Sequence, residues 1–254
     1  MKNTKYSGKY SKSFFTDNTI RFTGKIGENF SKYFLLGKNE AVLIYNFKEL
    51  ELLYAKGFKN VLGIEDEDVN MLMLNEQYDE TSFEFTNEFH DRALIHLLSN
   101  KKNIKSFSSS ALLRSKCNDI PIFMNLQVIS TDEHGNLENV IARLIQDPTL
   151  NFTKIVQYNL NGDFDEDFIY NINHNLDFKS TISFREIDII DKLKEGFNHI
   201  EIANFLGYSG FKVSAIIELM FKRFKVKSEK ELIEFAEREQ LIPNQFTNYF
   251  PPFV

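Results

Sequence analysis

Short alternating and apolar runs dominate residues 38–150. Residues 39–56 read as two strands joined by a polar turn, and residues 83–99 place apolar side chains near one helical face. Three more strand-like runs follow, at 105–115, 121–130 and 137–146. A turn that contains Gly135 separates the last two runs, as a tight hairpin requires. The pattern predicts an α+β fold, with a five-stranded antiparallel sheet and flanking helices.

The pattern changes to a helical period over residues 180–242, where we expect an all-α module of four helices. Ser183 is placed to cap the first helix, with Glu186 three residues later in a capping-box arrangement. The second helix, HIEIANFLG, is expected to bury Ile200, Ile202, Ala203 and Leu206. The turn GYS leads to a third helix over 210–224, and a fourth helix begins after Ser228.

Three segments lie outside these two domains. Residues 1–37 combine a basic arm with a short amphipathic helix, whose apolar positions are Ile26, Phe30, Tyr33 and Phe34. Residues 1–38 hold eight basic and two acidic residues, so the arm is either a solvated tail or a contact for phosphate or a partner chain. Residues 151–179 are expected to form a linker or a second hairpin, and residues 243–254 form a C-terminal tail.

The overall charge argues against a general affinity for nucleic acid. The chain carries 30 Lys and Arg against 36 Asp and Glu, a net charge of −6. Any DNA affinity must therefore come from local patches. The single cysteine, Cys117, cannot form an internal disulfide. Because neither a signal-peptide core nor an apolar run of about 18 residues occurs, we expect a cytoplasmic protein without membrane association.

Motifs for catalysis or metal binding are not found. The glycine-rich phosphate-binding motifs and the G-x-S-x-G motif are absent. The acidic run at 163–168 resembles a calcium loop, but Phe168 and His174 stand where glycine and glutamate are needed. His90 and His96 are six residues apart, which does not place them on one helical face as metal ligands. We therefore expect no enzyme activity, no metal and no cofactor.

The four helices over 180–242 resemble the LuxR-type helix-turn-helix, which is also found in NarL response regulators. The matching residues, in order and at the family's spacing, are Arg185, Glu186, Gly196, Glu201, Ile202, Ala203, Leu206, Ser209, Val213, Arg223, Phe224, Val226, Ser228 and Glu231. The resemblance implies a four-helix DNA-binding module in a bacterial, Bacteroidetes-like transcriptional regulator.

The order of elements over 38–150 resembles a PAS sensor domain attached to transcription factors. The segments IYNFKELELLYAKGFKNVLG and VISTDEHGNLENVIARLIQDPT carry this resemblance, whereas NEQYDE at 75–80 departs from the H-P-x-D stretch common before the long PAS helix. The resemblance implies a sensor or dimerisation domain. We therefore expect a homodimer and a small-molecule or protein signal at this domain.

In the LuxR-type family the third helix lies in the major groove of DNA. The DNA contacts expected from this resemblance are Ser209, Lys212, Val213, Ser214, Ile216, Ile217, Glu218, Lys222, Arg223, Lys225 and Lys227. Glu218 would face phosphate where a cation is more usual. The apolar residues of this helix fit DNA binding, a surface for another protein, or the core of the module.

The predicted function is a transcriptional regulator that binds double-stranded promoter DNA through the LuxR-type module, under the control of the PAS-like domain. The alternative is a signalling or protein-interaction module that derives from such a regulator and no longer binds DNA.

Overall fold

The computed structural model has a mixed α+β architecture, with seven β-strands and seven α-helices in the residues that it describes. The chain divides into two compact units. The sheet unit comprises Met1–Thr149 and Leu160–Asp177, and the helical unit comprises Leu150–Asn159 and Phe178–Val254. The structure describes residues 35–99, 104–116, 120–150, 153–162 and 180–242. Within these ranges, no helix is both long and apolar enough to cross a membrane.

Five antiparallel strands form the body of the sheet unit, in the order β2-β1-β5-β4-β3. Their bounds are β1 Glu40–Asn46, β2 Glu51–Lys56, β3 Ser108–Arg114, β4 Pro121–Thr131 and β5 Leu137–Gln146. The turn between β4 and β5 is closed by Asp132, whose Oδ1 accepts hydrogen bonds from the backbone N–H groups of His134 and Asn136. Gly135 has a φ of 77° in this turn, a conformation that favours glycine. The predicted hairpin is confirmed.

The described residues between β2 and β3 form three α-helices, namely α1 Phe58–Leu62, α2 Met71–Glu76 and α3 Glu80–Ser99. Gly57 allows α1 to approach the sheet, because a Cβ at this position would lie 2.2 Å from the carbonyl oxygen of Glu40. The α3 helix begins before the predicted residue 83. The reason is Asp79, whose Oδ1 accepts a hydrogen bond of 2.8 Å from the backbone N–H of Ser82.

The helical unit contains a short parallel pairing and four helices. Residues 156–158 of β6 (Val156–Asn161) pair in parallel with β7 (Thr181–Ser183). The helices are α4 Phe184–Lys194, α5 His199–Leu206, α6 Gly210–Phe224 and α7 Glu229–Arg238. The predicted start and end of the third helix in this region are confirmed by α6.

Some sequence-based expectations need correction, and others fall outside the described residues. Ile200, expected in the core, is exposed, whereas Ile202 and Ala203 on the same helix are buried. Ile200 lies over Gly210, since its Cγ1 is 3.6 Å from the position of a Cβ there. The basic arm with its short helix, Cys117, the acidic run at 163–168 and the C-terminal tail lie outside the described residues.

Candidate nucleic-acid interface

Local hydrogen bonds define where the helices of the helical unit begin and end. Ser183 and Asn198 form capping boxes with Glu186 and Glu201 at the starts of α4 and α5. Gly207, with a φ of 70°, ends α5. Residues 207–209 then form a short turn that connects α5 to α6.

The inward side of α6 belongs to the core of the helical unit. Val213, Ile217 and Met220 are buried at helical spacing. Val213 and Ile217 therefore cannot reach a base edge while the helix keeps this position. The interpretation of this side of α6 as core is confirmed, and the predicted DNA contacts at these two residues have no exposed side chain to make them.

Arg223 also lies inside the unit, in an ion pair with Glu186 of α4. Its Nη2 lies 2.8 Å from Oε1 of Glu186, and its Nη1 donates to Glu186 Oε2 and to the carbonyl oxygen of Thr181, both at 3.2 Å. Burial alone would lower the pKa of Arg223, but the Glu186 carboxylate outweighs this effect and raises it. Arg223 stays charged and holds α6 to α4, so its guanidinium is engaged within the unit and is not presented at the surface where the predicted DNA contact would lie.

Glu186 serves two elements at once. Its Oε2 accepts hydrogen bonds of 2.9 Å from the backbone N–H and from the hydroxyl of Ser183, and the same carboxylate binds Arg223. The start of α4 and the position of α6 therefore depend on one buried carboxylate.

The side of α6 that faces away from the core carries one row of side chains, which we call the outward stripe. It consists of Phe211, Ala215, Glu218 and Lys222. Their spacings of four, three and four residues place them on one face of the helix. Phe211 is 86% exposed, Ala215 is partly exposed, and Glu218 and Lys222 are exposed. Phe211 and Ala215 were not among the predicted contacts. The spacing opposite the buried residues is the signal that could have found them.

Ser214, a predicted DNA contact, is held within the unit. Its Oγ donates to the carbonyl oxygen of Gly210 at 3.1 Å and lies 2.8 Å from Nδ1 of His199. Nε2 of His199 lies 2.8 Å from Oε1 of Glu229 on α7. A hydroxyl carries one proton, and the two groups near the Ser214 hydroxyl, the Gly210 carbonyl oxygen and His199 Nδ1, both belong to the unit. Ser214 is therefore better placed to link α5, α6 and α7 than to donate to a base.

Two cations meet around one aromatic ring at the N-terminal end of α6. Arg185 donates a hydrogen bond to the Tyr208 hydroxyl, and its guanidinium carbon lies 5.5 Å from the ring centre. Nζ of Lys212 lies 4.2 Å from the same centre, a cation–π distance. The positive charge expected at Lys212 is thus joined by Arg185, which is 23 residues away from Tyr208 in sequence and gave no local signal.

The other predicted contacts lie near the ends or on a flank of α6. Lys225 and Lys227 are exposed beyond Lys222, and Lys225 ends the helix with a φ of 57°. Ser209 is exposed, and its Oγ accepts a hydrogen bond from the backbone N–H of Lys212. Ile216 is partly buried on a side of the helix away from the outward stripe.

The sheet unit holds a separate candidate site, an apolar cavity of about 40 Å³. Side chains from β1, α3 and β5 line it, including Leu43, Tyr45, Phe89, Leu94, Val140 and Ala142. Ser109 Oγ is buried at the cavity and makes no hydrogen bond with any residue that the structure describes.

Burial keeps the titratable groups of this cavity uncharged at neutral pH. It lowers the pKa of His90 to about 4, against the opposing effect of Asp91, and it raises the pKa of Tyr45 to about 12. The lining of the cavity therefore carries no charge at neutral pH. In the described part of the chain, no three His, Cys, Asp or Glu side chains are grouped to hold a metal.

Comparison with known proteins gives only distant likenesses. No family model matches the chain, and no curated protein matches it. Among solved structures, phage VqmA in complex with DPO is 16% identical with a TM-score of 0.34, covering 89% of this chain and 93% of that chain. The Vibrio cholerae VqmA dimer, described as a LuxR-type receptor that binds DNA, is 15% identical with a TM-score of 0.32, covering 83% and 86%.

An RNA-binding light-oxygen-voltage receptor is 9% identical with a TM-score of 0.33, covering 81% of this chain and 50% of that chain. TM-scores below 0.5 do not establish a common fold.

Proposed function

We propose that this protein is a transcriptional regulator that binds double-stranded DNA through its helical unit, as a homodimer and without enzyme activity. One observation carries the proposal: α6 completes the core on its inward side, yet keeps an outward stripe in solvent with cations at both ends. Two helices joined by a short glycine-containing turn follow the plan of a helix-turn-helix, whose second helix enters the major groove.

The sheet unit is the proposed PAS-like control domain. Two strands, short helices, a longer helix and three antiparallel strands follow one another in the order that the PAS resemblance implies. The uncharged cavity behind β1 and α3 supports a small apolar molecule as the signal. Narrowing the cavity with Ala93→Val is expected to reduce any rise in unfolding temperature that small uncharged compounds cause in the natural sequence.

The salt dependence of DNA binding tests the proposal. We would measure the affinity of the full-length protein for labelled duplex DNA over a series of salt concentrations. Each lost phosphate contact reduces the log–log slope by about 0.9, so Lys222→Ala is expected to reduce it by about that amount. Lys48→Ala, an exposed lysine in the turn between β1 and β2 of the sheet unit, should leave the slope unchanged. A protein that binds no duplex at low salt contradicts the proposal.

A protein-interaction module is the second candidate, because several large apolar side chains of the helical unit are exposed. They are Phe197, Ile200, Phe205 and Phe211. Exposed apolar surface is typical of contacts with other proteins. Under this alternative, Phe205→Asp would abolish self-association or binding of a partner protein while circular dichroism stays unchanged. Ile217→Glu cannot serve as this test, since Ile217 is buried and the change would unfold the unit.

A further inference from the structure

The outward stripe of α6 has an unusual chemical order for a DNA-binding surface. It begins with two apolar side chains, Phe211 and Ala215, continues with the carboxylate of Glu218, and ends with the ammonium group of Lys222. Recognition helices contact base edges with residues of their N-terminal part. On α6 that part is apolar, and its cations stand beside it on Tyr208 rather than within the stripe.

We propose that Phe211 and Ala215 read the 5-methyl groups of thymines in the major groove, and that Glu218 accepts a hydrogen bond from the N4 amino group of a cytosine. The inference rests on the proposed function and names the DNA partner of the same site. Apolar contacts of Phe and Ala with the thymine methyl, and of carboxylates with cytosine N4, are known modes of direct readout.

The position of Phe211 within the unit fits this role. It is the second residue of α6, directly after Gly210, and the side chain of Ile200 covers Gly210 from α5. Val213, the apolar residue expected to meet a thymine methyl, is fully buried. The apolar side chain available to contact a thymine methyl is therefore Phe211, on the side of the helix opposite Val213.

The spacing along the helix sets the spacing of the bases. Four residues from Phe211 to Ala215 span about 6 Å of helix axis, which is close to two base-pair steps of about 3.4 Å each. The three residues from Ala215 to Glu218 span about 4.5 Å, or little more than one step. The preferred half-site is thus expected to carry two thymines about two base pairs apart, followed by a cytosine.

Glu218 has an unfavourable charge for a phosphate contact but a suitable one for a base edge. Because it lies on the same stripe as Phe211 and Ala215, it faces the groove floor when they do. Lys222, one turn further along, is then placed at the phosphate backbone, where it also offsets the negative charge of Glu218.

The charge around the apolar pair favours DNA over a protein partner. Arg185 and Lys212 at one end and Lys222 at the other flank the pair with positive charge, which the two phosphate backbones of a groove would neutralise.

The test begins with duplexes selected by the full-length protein from a random library. In the best duplex each thymine of the half-site is replaced by uracil, which removes only the methyl group. Each replacement at a read position is expected to weaken binding about fourfold. The Phe211→Ala variant should bind the thymine duplex and the uracil duplex with equal affinity when the replacement is made at one of these positions, the one that Phe211 contacts. The matched control Phe205→Ala, a phenylalanine 65% exposed on α5, should keep the discrimination.

A second variant, Glu218→Gln, probes the cytosine position. Glutamine pairs with adenine N6 and N7 rather than with cytosine N4, so the preference at that base pair should shift from C·G to A·T by at least about fivefold. Specific binding that is equal for thymine and uracil duplexes overturns the inference and leaves the proposed function intact. Binding no stronger than to scrambled duplex overturns both.

Discussion

Each unit of the protein contains an arginine–carboxylate pair of the same length, but the surroundings of the two pairs differ. In the sheet unit, Arg143 and Glu40 are 2.8 Å apart, with side chains 49% and 21% exposed. In the helical unit, Arg223 and Glu186 are also 2.8 Å apart, with side chains 11% and 4% exposed. Water and salt screen the first pair and hardly reach the second. Distance alone therefore says little about what an ion pair contributes.

The comparison also separates two uses of positive charge at the end of α6. Lys222 and Arg223 are adjacent in sequence, yet Lys222 is exposed on the outward stripe and Arg223 is enclosed against α4 and β7. Substituting Arg223 would weaken the proposed DNA binding by unfolding the module, whereas substituting Lys222 would weaken it by removing the proposed phosphate contact. Loss of binding after a substitution therefore needs a stability measurement beside it.

The largest effect is expected for the buried pair. Glu186→Leu leaves the Arg223 charge buried without its carboxylate, which should lower the free energy of unfolding of the helical unit by about 3–5 kcal/mol. Urea unfolding followed by circular dichroism would measure it. The double variant Glu186→Leu, Arg223→Met should recover the part of the loss that comes from the unpaired charge, whereas the hydrogen bonds that Glu186 accepts from Ser183 stay lost. If the free energy of unfolding of Glu186→Leu lies within about 1 kcal/mol of that of the natural sequence, the pair contributes no more than an exposed ion pair. That result would show that water reaches it.

An intermediate effect is expected from His90 in the sheet unit. Its pKa is lowered from 6.5 to about 4 by burial, so between these values the unfolded chain binds a proton that the folded unit does not. The free energy of unfolding should therefore fall as pH decreases from 6.5 towards 4, by about 2 kcal/mol at pH 5.

Urea unfolding at pH 7 and pH 5 would measure this dependence. His90→Gln should remove that part of the acid sensitivity, while His134→Gln, at an exposed histidine in the turn between β4 and β5, should not. An equal pH dependence in both variants would mean that His90 is hydrated in the folded protein.

The smallest effect is expected for the exposed pair. Glu40→Gln removes the charge that faces Arg143, yet surface pairs of this kind contribute only about 0.2–1 kcal/mol. The same urea experiment at low and high salt should show a small loss that salt abolishes. A loss as large as that of Glu186→Leu would erase the contrast between the two units.

Much of the helical unit was predictable because its signals are local. The capping pair of Ser183 with Glu186 was recognised from their spacing, and Ser209 begins α6 by accepting a hydrogen bond from a backbone N–H three residues ahead. The α2 helix received no explicit prediction, although Asn70 caps it in the same way, with Oδ1 2.9 Å from the backbone nitrogen of Met73. Caps act over three residues, so a short sequence window contains the whole interaction.

The site itself was predicted less well, because it depends on which side of α6 faces the core. Helical spacing groups Val213 with Ile217 and Phe211 with Ala215, but both groups contain apolar residues. Arg223 was expected at the DNA backbone from the resemblance to the LuxR-type module. Its partner Glu186 is 37 residues away, beyond the reach of any local pattern.

The sequence by itself determined where most helices of the helical unit begin and end, through caps and glycines at the helix termini. Those interactions are complete within a few residues, so they do not depend on how the chain packs. Only the tertiary structure decided which face of α6 is buried and that Arg223 pairs with Glu186. It also showed that Phe211 is exposed. Burial and ion pairing arise between segments far apart in sequence, and a side chain acquires its environment only when those segments meet.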